Sequence, residues 1–281
     1  MSDRWTLPAA LGIAGAELVA FVGGGGKTSL MFALAAALPG RVVITTTTRI
    51  FAAQMRQAAA VVYAADLSPL GRLLEEHGRV LVVGHVAGDK AHGVAPDLPG
   101  RLLARPDVDF VLVEADGSRM RPAKAPADHE PVIPPETTLV VPVAGLDALE
   151  GPLDKVAHRP ERVRAIAGEG LDGEDRLTAE GLARVLAHPL GGLKGAPAAA
   201  RVVPVLNKVE GEARRAAAEQ TARRLLRRAR VARVVLPAAH APAPVRAVWR
   251  RVAAVVLAAG ASRRMGTNKL LLPWGETTDL G

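Results

Sequence analysis

Short apolar segments that alternate with helix-like segments constrain the fold more than any other feature of this sequence. The apolar segments are rich in Val, Leu and other residues that suit buried strands. They lie at 18–21, 41–48, 60–63, 80–84, 108–116, 138–144, 201–207 and 232–238. Continuous apolar strands separated by helices are typical of a parallel sheet that helices cover on both faces. We therefore predict an α/β fold with a mainly parallel sheet.

The composition excludes several kinds of functional site. The chain has 281 residues, of which 49% are hydrophobic and only 3% aromatic, so Ala, Val and Leu must form most of the core. It contains no cysteine, which excludes disulfides, thiolate metal sites and cysteine nucleophiles. The start MSDRWTLP lacks a signal-peptide pattern, and no apolar segment is long enough to span a membrane. We expect a cytoplasmic protein with no membrane partner.

The net charge of +8 concentrates in one arginine-rich segment at 214–233. This segment is a predicted helix, and no aromatic residues lie between its arginines to stack on bases. A solvated helix face explains the charge better than a nucleic-acid surface. We therefore expect no nucleic-acid partner, and the sequence leaves the oligomeric state open.

A glycine-rich segment follows the first predicted strand and precedes a predicted helix. Glycines in such a turn let backbone amides converge on phosphate oxygens, and the helix adds its positive end. A lysine there reaches the outer phosphates, and the next hydroxyl can bind Mg²⁺. The spacing departs from the common GxxxxGK[ST] pattern at Phe21, and Val22 stands where one class of phosphate-binding loop has a lysine. An ordinary glycine turn is the alternative. The predicted nucleotide-binding residues are Gly23, Gly24, Gly25, Gly26, Lys27, Thr28 and Ser29.

Two acidic residues end the segment VLVEAD at 111–116. Residues two apart share one face of a strand, so we expect Glu114 and Asp116 to point the same way at the sheet edge where α/β folds bind ligands. One carboxylate could hold Mg²⁺, and the other could orient a nucleophile. We predict Lys27, Glu114 and Asp116 as catalytic residues and Thr28 and Asp116 as Mg²⁺ ligands. The alternative is a pair of solvated acids.

The charged segment 118–131 follows directly, and Gly117, Pro122, Pro126 and Pro131 keep it from being helical. A stiff charged loop beside two carboxylates is suited to contact a substrate or a client protein. A surface loop without function is the alternative. The predicted contact residues are Arg119, Arg121, Lys124, Asp128, His129 and Glu130.

Two further polar segments follow predicted strands. Thr45–Thr48 with Arg49 could meet a phosphate, although strand preference explains the threonines equally well. Asn207 and Lys208, in the sequence NKVE, are similar to the guanine-reading element NKxD, but Glu210 replaces its aspartate. We include Asn207 and Lys208 among the predicted nucleotide-binding residues and leave the base open between adenine and guanine.

These motifs together resemble the YqeC family. The matching segments are VGGGGKTSLM, TTTTRI, VEADGSRMRPAKAPADHEPVIP, AHRPE and LNKVE, within about residues 10–236. The resemblance implies a P-loop-like sheet and an accessory role in the maturation of selenium-dependent molybdenum hydroxylases. It also implies a partner, either a molybdenum hydroxylase client or an intermediate of the molybdenum cofactor.

The C-terminal segment resembles the start of MobA/MocA-type nucleotidyltransferases, which implies an incomplete Rossmann-like fragment. Its signature carries over to Leu257, Ala258, Ala259, Gly260, Ser262, Arg264, Met265, Gly266 and Lys269. About thirty residues cannot form a catalytic domain, so we expect no nucleotidyl transfer from this chain. The expected domains are a YqeC-like P-loop NTP-binding domain at 1–236, a Pro/Ala-rich linker at 237–250 and this fragment at 251–281.

The sequence therefore predicts an accessory protein that binds ATP or GTP with Mg²⁺. Hydrolysis and phosphoryl transfer both fit the residues. The alternatives are a part of a cytidylyl- or guanylyltransferase fusion and a non-enzymatic chaperone that nucleotide switches.

Overall fold

The apolar segments become the strands of one large sheet in the computed structural model. The structure describes residues 5–237, 245–252, 273–274 and 277–278, and of residues 51–54, 273–274 and 277–278 it describes the backbone alone. The contacts divide the chain into two units, at residues 1–250 and 251–281.

The strands of the first unit vary from two to seven residues. In chain order they are β1 Glu17–Gly23, β2 Val42–Thr46, β3 Ile50–Phe51, β4 Val61–Tyr63, β5 Arg79–Val83, β6 Val86–Ala87, β7 Lys90–Ala91, β8 Phe110–Glu114, β9 Ala123–Lys124, β10 Leu139–Gly145, β11 Ala157–His158, β12 Arg201–Val202, β13 Val205–Asn207, β14 Arg233–Pro237 and β15 Val245–Arg250.

The α-helices are α1 Leu7–Leu11, α2 Lys27–Ala37, α3 Leu70–His77, α4 Leu98–Leu103, α5 Leu153–Val156, α6 Pro160–Ala167, α7 Ala179–Ala187 and α8 Gly211–Leu225. Short 3-10 helices lie at Ala52–Gln57, Leu146–Leu149 and Gly168–Gly170. No helix in the described ranges is long and apolar enough to span a membrane.

The main sheet has the strand order β15-β14-β13-β10-β1-β8-β2-β5-β4, and β12 also pairs with β10. All of these pairs are parallel except β14 with β15. The prediction of an α/β fold with a mainly parallel sheet is therefore confirmed.

Helices cover both faces of this sheet. Phe21 and Ile44 face one side, where they pack against Leu34 of α2. The neighbouring Val43 faces the other side, where α3 and α4 pack. Farther along that side, α7 and α8 pack on β13 and β14. Both faces are covered, which is why the central strands are apolar at nearly every position.

The carboxyl ends of the central strands meet at one edge of the sheet. In the β1–β8 pair Phe21 lies opposite Glu114, and in the β1–β10 pair Gly23 lies opposite Val143. Thr46 at the end of β2 also lies opposite Glu114. The glycine-rich turn after β1 is therefore flanked by the ends of β8 and β10, so one edge collects most of the predicted site.

The segment predicted as a linker, 237–250, is partly a strand. Pro237 ends β14, and 245–250 form β15, which pairs antiparallel with β14. Trp249 of β15 lies opposite Val234, and its ring packs under the guanidinium of Arg223 from α8. The prediction of a linker is therefore wrong for 245–250, because this segment completes the sheet as its edge strand.

The predicted strand at 252–260 and the nucleotidyltransferase-like signature lie outside the described residues, apart from Val252. In the second unit the structure describes two short antiparallel strands, β16 Pro273–Trp274 and β17 Thr277–Thr278.

Candidate functional site

The glycine-rich turn connects β1 to α2 through left-handed backbone conformations. Gly23, Gly25 and Gly26 have φ values of 95°, 75° and 111°, which residues with a side chain rarely adopt. A methyl group on Gly25 would also overlap the amide of Gly145. Glycine is therefore required here both by backbone conformation and by the close approach of a neighbouring segment.

Three of the four glycine amides already have acceptors inside the protein. Gly23 N–H donates to both carboxylate oxygens of Asp116 at 3.1 Å, and Gly24 N–H donates to Val143 O at 2.9 Å. Gly25 N–H donates to Arg121 O at 3.0 Å. The prediction that the four glycine amides bind a phosphate therefore applies to at most one of them in this structure.

The amides at the start of α2 are better placed to receive an anion. The helical hydrogen bonds begin with Leu30 N–H, which donates to Gly26 O at 3.0 Å. Amides of the preceding turn, such as those of Lys27 and Ser29, have no acceptor within the helix itself. This end of the helix also carries its positive partial charge, which favours phosphate.

Lys27 lies buried behind this helix start, with 3% of its surface exposed. Its ammonium group donates to Gly23 O at 2.6 Å and lies 3.2 Å from Asp116 Oδ1 and 3.7 Å from Glu114 Oε1. Burial alone would lower the pKa of Lys27, but the attraction of Asp116 and Glu114 outweighs it and raises the pKa. Lys27 is therefore a fixed positive charge.

Asp116 belongs to a buried chain of alternating charges. Its Oδ2 lies 3.0 Å from Lys124 Nζ, which lies 2.8 Å from Glu130 Oε2. Glu130 in turn accepts a hydrogen bond from Arg159 Nη1 at 2.7 Å. The Lys124 side chain is fully buried, so this chain connects the glycine-rich turn to the segment after β8.

Glu114, rather than Asp116, lies next to Thr28. The Thr28 hydroxyl donates to Glu114 Oε2 at 2.8 Å, and both residues line the cavity described below. Asp116 is 1% exposed, and both of its oxygens already contact the Gly23 amide and a lysine. The pairing of Thr28 with Asp116 as Mg²⁺ ligands therefore conflicts with the positions of these side chains.

A cavity of about 610 Å³ opens in front of the start of α2. Its wall includes Gly25, Gly26, Thr28 and Ser29. Basic residues outnumber acidic ones in this wall, because its acidic residues, among those that the structure describes, are Glu114 and Glu130 alone. The basic residues are Lys27, Arg49, Lys90, Arg119, Arg159 and Lys208. This wall suits a highly charged anion.

The predicted contact loop at 118–131 divides into buried and exposed parts. Arg119 is exposed and lines the cavity, whereas Arg121 contributes its carbonyl group to the glycine-rich turn. Lys124 is buried, so the prediction that it contacts a client is wrong. Asp128 is exposed and forms an ion pair with Arg162, with Nη1 and Oδ1 2.9 Å apart. Of the six predicted residues, Arg119, His129 and Glu130 line a cavity: Arg119 and Glu130 the first, His129 and Glu130 the second described below.

Asn207, at the end of β13, and Lys208, directly after it, were predicted to bind the nucleotide, and the structure gives them different roles. Asn207 Nδ2 donates to Gly25 O at 2.9 Å, so this side chain holds the glycine-rich turn. Lys208 lines the cavity and forms an ion pair with Asp147 at 2.6 Å. Glu210 pairs with Arg214 on α8 and is absent from the cavity wall as described. The arrangement gives no support to guanine reading by Glu210.

Several wall residues were not predicted. Lys90 belongs to the two-residue strand β7, which has no periodic pattern to reveal it. His158 and Arg159 come from the segment AHRPE, whose position gave no sign of function by itself. Arg159 has a left-handed φ of 64°, a conformation rare for residues with a side chain. Burial also lowers the pKa of His158, and the charges of Arg159 and Lys124 lower it further.

A second cavity, of about 460 Å³, adjoins the first. The two share Arg49, Gly117 and Glu130 as wall residues. The remaining wall of the second cavity comprises Thr47, Thr48, His85, His92, Gly93, His129 and Val132. Within the described parts of the chain, no three His, Asp or Glu side chains are grouped so that they could hold a metal ion.

Comparison with known proteins agrees with the motifs of this site. Residues 19–161 match the YqeC protein family, and that range includes the glycine-rich turn, both acids and the loop after β8. The chain is also 35% identical over 202 residues to the uncharacterized protein YqeC of Escherichia coli (strain K12), which covers 68% of this chain and 75% of that protein. The chain belongs to the YqeC family.

A second match covers the C-terminal segment. Residues 254–280 match the MobA-like NTP transferase domain. This confirms the resemblance of a short fragment to that domain.

Proposed function

We propose that this member of the YqeC family binds ATP or GTP with Mg²⁺ and acts as an NTPase or a phosphoryl-transfer protein. The observation that carries the proposal is the cationic cavity at the start of α2, with Lys27 buried behind it. Its volume of about 610 Å³ lies in the range of cavities that bind metabolites and cofactors. The ligand that fits is a polyphosphate, because helix-start amides and several cations converge on one space.

Lys27 and the other cations of the cavity wall would together bind the phosphates. Lys27 starts from contacts with Gly23 O, Glu114 and Asp116, and a phosphate would compete for its ammonium group. Arg119 and Arg159 lie on the wall formed by the segments after β8 and β11 and can neutralise outer phosphate oxygens. The first three glycine amides would hold the shape of the turn instead of binding phosphate.

Thr28 and Glu114 fit Mg²⁺ better than Thr28 and Asp116. Mg²⁺ prefers oxygen ligands and commonly takes one or two from the protein and the rest from phosphates and water. Thr28 and Glu114 supply two oxygens that lie 2.8 Å apart on the cavity wall. Bound there, the ion would neutralise charge that develops on the phosphate oxygens. Asp116 would keep Lys27 and the Gly23 amide in position.

The family resemblance supports the biological part of the proposal. We propose that nucleotide binding serves the maturation of selenium-dependent molybdenum hydroxylases. The partner would be such a hydroxylase or an intermediate of its molybdenum cofactor. The exposed part of the segment 118–131, with Arg119, Asp128 and His129, is the surface we assign to that contact.

A nucleotide-switched chaperone is the second candidate, and one contact favours it. Gly25 N–H donates to Arg121 O, so the turn and the segment 118–131 are directly bonded. A nucleotide that changes the turn would therefore change the proposed client surface. This candidate predicts slow hydrolysis that a client protein accelerates.

Phosphate release from ATP and from GTP, measured with Mg²⁺, tests the proposal. We expect turnover by the wild type and loss of at least about 100-fold in Lys27→Ala, because one preorganised cation is worth about that much. Arg72→Gln, which removes an exposed arginine of α3, is the matched control and should retain activity. Equal activity in wild type and Lys27→Ala would contradict the proposal.

A further inference from the structure

The second cavity is lined by groups that the proposed nucleotide site does not use. His85 and His92 stack with ring centroids 4.2 Å apart and an interplanar angle of 14°. His129, from the segment after β8, lines the same cavity. Three histidines thus line one cavity, although they are not grouped as metal ligands in the described residues.

Arg49 contributes the permanent positive charge of this cavity. Among the residues that the structure describes, it has no carboxylate partner, and its side chain is exposed. Glu130 is the acidic residue of the wall, and Lys124 and Arg159 already neutralise it. Arg49 is therefore available to an incoming anion.

The threonine side chains of this wall already form contacts within the protein. Thr47 Oγ1 donates to Val132 O at 2.6 Å, and the Thr48 hydroxyl lies 3.4 Å from Thr46 Oγ1. They fix the end of β2, and with it the base of the Arg49 segment. The recognition chemistry of the cavity therefore comes from one guanidinium and three imidazoles.

We propose that this second cavity binds a small molecule that carries an oxyanion, beside the nucleotide. The proposal deepens the proposed function and rests on it, because the two cavities meet at Arg49, Gly117 and Glu130. Its volume of about 460 Å³ suits a metabolite and is too small for a folded partner. Arg49 lies on the shared wall and contacts both ligands.

The charge of this cavity changes with pH. Burial lowers the pKa of His92, and the charges of His85 and Arg49 lower it further. A bound oxyanion has the opposite effect, since it stabilises imidazolium. The anion must therefore bind more tightly as pH falls through the histidine range.

Sulfate is the probe that isolates this effect, because it keeps its double charge between about pH 6 and pH 8, where histidines titrate. The measurement is a sulfate titration of the full chain, labelled with ¹⁵N in its imidazole rings and observed by NMR at constant ionic strength. We expect the signals of His85, His92 and His129 to shift, and those of His77 and His188 to stay. The affinity should rise about fivefold from pH 8 to pH 6 if one histidine pKa rises by one unit, because the histidine is only partly protonated at pH 6.

Three variants show which residues bind the sulfate that shifts the imidazole signals. In Lys27→Ala the shifts should persist, because Lys27 does not line the second cavity, and unchanged signals of His77 and His188 show that this variant is folded. In Arg49→Gln the sulfate affinity should fall at least about tenfold, the value of one charge-assisted contact. Arg72→Gln should behave as wild type. Unchanged signals of His77 and His188, which do not line the second cavity, show in the sulfate-free spectrum that Arg49→Gln is folded.

The outcomes separate the two proposals. No shift of the three imidazoles, equal shifts at His77 and His188, or full sulfate affinity in Arg49→Gln would overturn the second site. A loss of all three shifts in folded Lys27→Ala would also overturn it, because the sulfate would then be at the nucleotide cavity. Failure of ATP and GTP to bind while the shifts remain would instead overturn the proposed function.

Discussion

Asp116 contacts Lys27 through one carboxylate oxygen and Lys124 through the other. These contacts explain why Asp116 is buried, whereas Glu114, the other acid of VLVEAD, lines the cavity. Strand alternation predicts that Glu114 and Asp116 point the same way. However, β8 ends at Glu114, so the alternation stops before Asp116. Asp116 instead accepts the Gly23 amide and becomes buried. The sequence placed both acids near the glycine-rich turn, but the end of the strand decides which acid faces the cavity.

Removal of Lys124 tests the structural role of the buried charges. In Lys124→Met, Asp116 and Glu130 lose a partner that is fully buried, so we expect a loss of about 3–5 kcal/mol in the free energy of unfolding. Urea denaturation measures it. Lys155→Met removes an exposed lysine and should change little. Equal stability of both variants would contradict the buried network.

Glu130 gives the network a dependence on pH. Burial would raise the pKa of Glu130, but hydrogen bonding to Lys124 and the charges of Lys124 and Arg159 lower it below its ordinary value. A lowered folded pKa means that this stabilisation is present above the unfolded pKa and is lost as pH falls through the folded pKa. Denaturation at a series of pH values should therefore show a flatter acid limb in Glu130→Gln than in wild type. Parallel curves would refute this role.

At the scale of elements, the central strands were predictable and the site-bearing turns were less so. The eight predicted segments form β1, β2, β4, β5, β8, β10, β12 with β13, and β14, because a strand covered on both faces must be apolar throughout. Strand β15 was missed because a Pro/Ala-rich segment precedes it and it lies at the sheet edge. The hairpin β6–β7, which carries Lys90, has strands too short to show a pattern.

The turn between β1 and α2 can be tested by adding one methyl group. Gly25→Ala places Cβ against the Gly145 backbone at a positive φ, so we expect a loss of about 2 kcal/mol or more and weaker nucleotide binding. Gly15→Ala is the matched control, because nothing lies within 4 Å of its added Cβ. Thermal unfolding and nucleotide titration measure both effects. A Gly25→Ala protein as stable as Gly15→Ala would show that the close approach is not required.

At the scale of the whole molecule, the chain divides after Arg250, whereas the sequence placed the end of the first domain at 236. Val245 packs in the core beside Val235, and Trp249 packs on the other face. Residues 245–250 therefore belong to the first unit. The sequence missed this because a single edge strand without a following helix has no βα alternation to reveal it.

Two truncations test this boundary. A chain that ends at Arg250 keeps β15, so we expect it to retain the melting temperature and nucleotide affinity of the full chain. A chain that ends at Pro237 exposes the edge of β14 and removes Val245 and Trp249 from their packing, so its melting temperature should fall. Equal melting temperatures of the two truncated chains would show that β15 does not contribute to the fold.

A crystal structure with a non-hydrolysable ATP or GTP analogue and Mg²⁺ tests the central claim most directly. The account predicts phosphate oxygens within hydrogen-bond distance of the amides at the start of α2 and of Lys27 Nζ, with Thr28 and Glu114 beside the metal ion. It also predicts that the Gly23 amide remains bonded to Asp116. A nucleotide bound elsewhere, or a cavity that remains empty at saturating nucleotide, would contradict the account.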